Sequence, residues 1–373
     1  FQMSMVALAP VISAMTEAFP GISALTAQMA TTFLNLILVI VALFSGAISR
    51  RIGRRWMAAI AMGLYAVVGL CAPFLSAALW VVFLWSALLG AGTGLFVPAM
   101  SSLMVDCYQD DERQKIAGFQ TACVNLGGVV LSLLSGSLAA IRWDRAYLVF
   151  LLALPVMLLC LKYLPRDTLG KAHSGGEDSS SGRSHIPGAV WLAALQTTLF
   201  AILYFAFSTN ISLFLTEKGY ASTSLSGVAT ASFMLGGCIC GLLFTKVLHL
   251  LGKRTAAGAF LLLAVSYLII YLFDGIVPLL IAAVIGGGSL SFIFPYFLVT
   301  IANRVDPSIS VISTSLILSV GPNLGSFISP VILTNLTSLF AGGAAAPRFL
   351  LAAVFAVVGA AVLFAVSCRR GRE

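Results

Sequence analysis

Apolar runs of about 18 or more residues recur along the whole chain, and each is long enough to cross a hydrocarbon core of about 30 Å as a helix. With 60% hydrophobic and 9% charged residues in 373, the chain is far from the roughly 25% charged usage of soluble domains. Its solvent is lipid. Polar breaks place spans at residues 1–17, 26–48, 56–76, 79–105, 114–138 and 146–164, then at 188–215, 223–248, 255–273, 277–302, 311–335 and 347–367. The expected fold is an all-α integral membrane protein of twelve transmembrane helices in two pseudo-symmetric six-helix bundles.

Residues 1–164 would form the first bundle. Its opening helix reads as truncated, because Phe1 already lies inside an apolar run. Residues 165–187 are polar and rich in Gly and Ser, unable to bury a core, and read as a cytoplasmic linker. Residues 188–367 would form the second bundle and 368–373 a basic tail.

The net charge of +8 is a topology signal before it is anything else. Of 21 Lys and Arg, only Arg142, Arg145, Lys218 and Arg348 fall on one face, leaving 17 on the other. By the positive-inside rule this puts both termini and the linker in the cytoplasm, in a cell inner (plasma) membrane. The basic balance therefore does not indicate nucleic acid. The cysteines lie mostly inside apolar runs, where they act as small apolar groups. No disulfide framework, metal site or cofactor is expected. The partners expected are a small-molecule solute and the lipid bilayer, with the chain itself monomeric.

The two halves share short landmarks. GlyArgArg at 53–55 matches GlyLysArg at 252–254, Gly90–Pro98 matches Gly287–Pro295, and AsnLeuGly at 125–127 recurs at 323–325, all at offsets of 197–199. An internal duplication of this kind is a mark of secondary transporters.

The loop after the second span reads Gly46-Ala47-Ile48-Ser49-Arg50-Arg51-Ile52-Gly53-Arg54-Arg55. It resembles the Gly-x-Leu-x-Asp-Arg-x-Gly-Arg-Arg pattern of the major facilitator superfamily, and the resemblance covers essentially the whole chain. Gly90, Gly92, Gly94 and Pro98 in span four, the acidic run 110–113 and Trp143 fit it too. The resemblance implies a gating role for Gly46, Arg50, Gly53, Arg54, Arg55 and Asp106, with Arg54 and Asp106 latching the inner gate. Arg50 stands where that family usually has aspartate, and its repeat counterpart is His249. Two marks of the proton-driven drug exporters are missing, since Ser86 and the pair Leu131–Ser132 occupy those positions.

An ionised group inside the membrane is a functional signal, because placing it there costs at least about 2.5 to 3.5 kcal/mol. The acids fall at span ends or in loops, with Glu17 the one placed to act as a proton site near the outer mouth. No intramembrane Lys or Arg is visible to hold an anionic solute. The solute site is instead expected near the midplane, where the halves meet, from neutral groups: Asn35, Gln120, Asn125, Gln196, Tyr204, Asn210, Tyr296 and Asn323. Each serves equally well as interhelical glue. Amides and aromatic rings, including Phe292, Phe294 and Phe297, suit an apolar or amphipathic organic molecule. The function this supports is secondary transport by alternating access, multidrug-efflux-like export being favoured. A facilitator or importer of a neutral metabolite is the alternative, and a non-transporting receptor the second. No constellation of catalytic side chains marks an enzyme.

Overall fold

The computed structural model describes residues 4–76, 78–108, 110–164, 188–220, 223–293, 296–297, 313, 316–341 and 344–369. Every regular element among them is helical. In chain order these are α1 (Ser4–Ala18), α2 (Ala24–Ile52), α3 (Arg54–Leu75), α4 (Leu79–Cys107), α5 (Asp110–Ala139) and α6 (Trp143–Tyr163). Then follow α7 (Gly188–Glu217), α8 (Thr223–Leu251), α9 (Thr255–Leu272), α10 (Ile276–Ile293), α11 (Gly321–Ala341) and α12 (Ala346–Arg369). Ten of these helices are long and apolar enough to cross a membrane. The other two are α1, which is shorter, and α11, whose hydropathy is lowered by Asn323, Ser326, Ser329, Thr334, Asn335 and Thr337.

Many large apolar side chains are turned outward, Leu242, Leu250 and Phe340 among them. So much exposed apolar surface belongs against acyl chains rather than water. The buried positions are rich in Ala, Ser and Thr, small groups that let helix backbones approach each other without a hydrophobic driving force.

The chain divides into two compact units, Phe1–Ser181 and Gly182–Glu373, and the division falls among residues outside the described ones. The same local devices recur in both. Left-handed glycines end the first helix of each unit, Gly21 (φ 94°) and Gly219 (φ 79°). Two more form the turn into the third helix, Gly53 (φ 83°) and Gly252 (φ 49°). A Cβ in this region of backbone space is strained, so glycine is required there. In the first unit a Cβ at Gly90 of α4 would run into the Leu34 carbonyl of α2. In the second, one at Gly287 of α10 would meet the Phe233 carbonyl of α8. One turn further on, Gly94 lies over Leu38, while its counterpart Ser291 donates to the Gly237 carbonyl at 2.7 Å.

Two helices, α6 and α11, depart from their expected bounds. α6 begins at Trp143, three residues early, and runs as a 3₁₀ helix to Leu152 before turning α-helical from Ala153. Arg142 fixes this start by donating to both carboxylate oxygens of Asp144 and, at 2.9 Å, to the Pro73 carbonyl of α3. Asp144 lies at a span end, as expected of the acids, but is only 4% exposed. The expected eleventh span is displaced: α11 continues to Ala341 rather than 335 and is preceded by a π-helical turn, Leu316–Val320.

Candidate functional site

The sequence-nominated polar residues separate into two groups by what their side chains already bond. Asn35 of α2 is buried and its Nδ2 lies 3.0 Å from Met5 Sδ of α1. Tyr204 of α7 is 2% exposed in a cluster of rings, 4.8 Å from Phe233 and 5.9 Å from Phe200. Asn210, also on α7, is fully buried. Its Nδ2 donates to the Ala206 carbonyl at 2.9 Å and to Thr209 Oγ1 at 3.1 Å, and its Oδ1 accepts from Arg348 Nη1 at 2.8 Å. These three are built into helix packing, Tyr204 by its ring and the two amides by polar contacts, as buried amides require.

The second group is half-buried and far less committed. Gln120 and Asn125 of α5 and Gln196 of α7 make no side-chain hydrogen bond among the described residues. Asn323 of α11 spends one donor on the Ser319 carbonyl at 2.7 Å. Tyr296 is half-buried with its ring 5.5 Å from Phe297, edge to face.

Within the second unit, α7 and α11 run parallel and hold two of these amides at one level. A Cβ at Gly321 would lie 2.8 Å from Thr198 Oγ1 and 3.2 Å from the Ala194 carbonyl, and one at Gly325 2.5 Å from the Thr198 carbonyl. Ser329 Oγ donates to the Ile202 carbonyl at 2.6 Å. Three contacts spaced four residues apart on each helix lock the register, so Gln196 and Asn323 fall within one helical turn of the same depth.

The family motif also has a structural use. Gly53 caps the end of α2, donating to the Ser49 carbonyl at 2.9 Å, and starts α3. Arg55 reaches the Leu161 carbonyl near the end of α6. Its repeat counterpart Arg254 lies over the ring of Phe364 in α12, 4.8 Å from its centre. Gly46 is half-buried in α2, and so is Arg54 in α3. The side chains of Arg50 and Asp106 lie outside the described residues, so the expected Arg54–Asp106 latch does as well.

One sequence expectation needs correction. The sequence counts Arg348 with the charges of one face, at the edge of the expected span 347–367, and shows no cation inside the membrane. Arg348 lies in the first turn of α12, within the apolar span Ala346–Ala365, and is 2% exposed. Its partner is Asn210. Beside it both carboxylate oxygens of Glu217, at the end of α7, accept from the Ala345 amide at 2.8 Å. A carboxylate at a helix N-terminus is favourable, and it offsets the arginine there. Two signals could have found this cluster. Pro347 is a start residue of helices, and Thr216-Glu217 repeats Thr16-Glu17 at the end of the first helix. Glu17 itself is exposed.

The family model described as "Major Facilitator Superfamily" matches residues 1–330. The chain belongs to that superfamily. Its fold is similar to solved structures of its transporters. One is the nucleoside transporter NupG, at 12% identity and TM-score 0.71, covering 98% of this chain and 99% of that one. Another is the peptide transporter POT, at 14% identity and TM-score 0.76, covering 100% and 92%. A third is an auto-inhibited POT family peptide transporter, at 13% and TM-score 0.71, covering 99% and 97%. A comparison with curated protein sequences finds no match. This superfamily member is thus a multi-pass membrane transporter.

Proposed function

We propose that the protein is a secondary carrier that moves a small organic solute by alternating access, its twelve spans forming two pseudo-symmetric six-helix bundles. Export of an amphipathic or apolar molecule is the favoured direction. The carrier sits in the cell inner membrane as a monomer with both termini in the cytoplasm. The observation that carries this reading is the chemistry of the uncommitted side chains. Gln120, Asn125, Gln196 and Asn323 are neutral amides at half-buried positions, whereas the buried cation Arg348 is engaged with Asn210. Neutral amides in an apolar setting orient an uncharged or weakly charged solute without binding an anion tightly. A facilitator or importer of a neutral metabolite is the second reading. It draws support from the same amides and from the fold's likeness to a nucleoside transporter, since nucleosides are neutral and rich in hydrogen-bonding groups.

The test is flux into liposomes holding the purified protein, with a fluorescent rhodamine dye, uridine and dialanine as probes, each with and without a proton gradient. Saturable flux above that of empty liposomes supports the carrier, and acceleration by the gradient identifies it as proton-coupled. Flux indifferent to the gradient favours the facilitator. Saturable binding of a probe without flux would overturn the carrier reading in favour of a receptor.

A further inference from the structure

Where α3 begins and α6 ends, two cations are brought to one corner of the first unit. Arg55, in the first turn of α3, donates to the Leu161 carbonyl of α6. The next residue is Lys162, exposed, its Nζ 5.3 Å from the centre of the Tyr163 ring. Neither cation has an ion-pair partner among the described residues. The end of α6 does not neutralise them. A helix C-terminus carries about half a negative charge, so two full positive charges leave a surplus of about one and a half. The surroundings are layered from the helix ends inward. Beside the cations stand Trp56, 57% exposed, and Tyr163, 71% exposed, ring types that settle at the level of lipid head groups. One turn deeper in each span, Ile60 and Leu159 are exposed on the same faces as these rings. The second unit lacks the arrangement. Arg254, the counterpart of Arg55, is laid over the Phe364 ring, and Thr255 stands buried in place of Trp56. The counterparts of Lys162, at 359–361, read GlyAlaAla.

We propose that the corner formed by Arg55 and Lys162 binds the phosphate of an anionic phospholipid, whose acyl chain lies along Ile60 and Leu159. Guanidinium and ammonium groups are donors only, and phosphate oxygens are the acceptors that suit them best. Arg55 is already fixed by its bond to α6, so little side-chain freedom is lost on binding. Basic pockets between spans take anionic head groups in this way. A zwitterionic lipid brings its own cation to the corner and is disfavoured there. The site requires only that this end of the two helices meets a leaflet holding anionic lipid, whichever face is cytoplasmic. It is independent of what the carrier transports.

The experiment places the full chain in phosphatidylcholine vesicles and reads Trp56 fluorescence as the difference between the parent and Trp56→Phe. Phosphatidylglycerol or phosphatidylcholine with brominated acyl chains is then added in increasing fraction, since bromine quenches a tryptophan that the lipid touches. Half-quenching should need about 25-fold less of the brominated phosphatidylglycerol, about fivefold for each cation. Lys162→Gln and Arg55→Gln should each remove about fivefold of that preference. Arg254→Gln, a matched loss of one cation, should leave it within about twofold. Lys162 touches only the Tyr163 ring among the described residues, so its variant tests the site even where Arg55→Gln weakens the fold. Equal half-quenching by the two lipids in the parent would overturn the proposal. So would equal losses in Arg254→Gln and Lys162→Gln, which mark general surface charge. Relief of the phosphatidylglycerol quenching by inorganic phosphate at constant ionic strength would also overturn it, in favour of a site for soluble anions.

Discussion

Gly63 of α3 and Gly325 of α11 both lie inside helices, and alanine should be tolerated at the first and not at the second. A helix interior gains about 0.8 to 1.0 kcal/mol when Gly becomes Ala. At Gly63 the nearest atom to the added Cβ is Met157 Sδ at 3.7 Å, an ordinary contact, so Gly63→Ala should stabilise by most of that amount. At Gly325 the Cβ would lie 2.5 Å from the Thr198 carbonyl and 2.9 Å from Ala201 Cβ. Carbon contacts are comfortable near about 3.5 Å, so α7 and α11 would have to part by roughly 0.5 to 1 Å. Overpacking of that kind costs about 1 to 3 kcal/mol, and the seating of Ser329 on Ile202 would loosen with it. The helix gain is common to both variants, so they should differ by the overpacking cost, about 1 to 3 kcal/mol, Gly325→Ala being the less stable. Thermal unfolding in detergent, followed by tryptophan fluorescence, reads this as a midpoint for Gly325→Ala below that of Gly63→Ala. Equal shifts would refute the claim that α7 and α11 meet backbone to backbone at Gly325.

Removing the buried guanidinium by Arg348→Leu leaves Asn210 Oδ1 without the donor it has at 2.8 Å; a loss of about 1 to 3 kcal/mol is expected. The double variant with Asn210→Leu should lose less than the sum of the two single losses, as contacting partners do. Tyr65→Phe deletes a hydroxyl bonded to Ser4 at 2.6 Å and to Thr93. It should cost about 0.6 to 2 kcal/mol, read by chemical unfolding and by faster proteolysis within α1. The Lys218–Asp274 pair is exposed, at 39% and 81% of its side chains, so Asp274→Asn should shift the melting temperature little and not at all in high salt. The hydrogen bond to Asp274 raises the Lys218 pKa above its ordinary 10.5. That contribution is fully present below 10.5 and lost as pH rises through the raised value. The small effect should thus be constant from about pH 7 to 9 and vanish at higher pH.

Much of the architecture was legible because it depends on amounts and periods. Run length against bilayer thickness gave the helices, and the recurrence of short motifs gave the two related halves. The left-handed glycines Gly53 and Gly252 lie inside a motif whose spacing already matched. The site was legible only as residue types. Asn35, Asn210, Gln196 and Asn323 are all amides on apolar helices, and nothing along the chain separates the two held by packing from the two that are half-buried.

The sequence by itself determined that this chain lives in lipid, spans it repeatedly as helices, and belongs to a duplicated carrier fold. Hydropathy is summed over a span and needs no knowledge of neighbours. Tertiary structure alone decided which glycines admit a second backbone, which amides are already spent, and that Arg348 is a buried charge beside Glu217. Those are properties of contact between residues as far apart as 210 and 348. Hydrogen bonds and close packing act over a few ångströms in space, a distance that position along the chain does not encode.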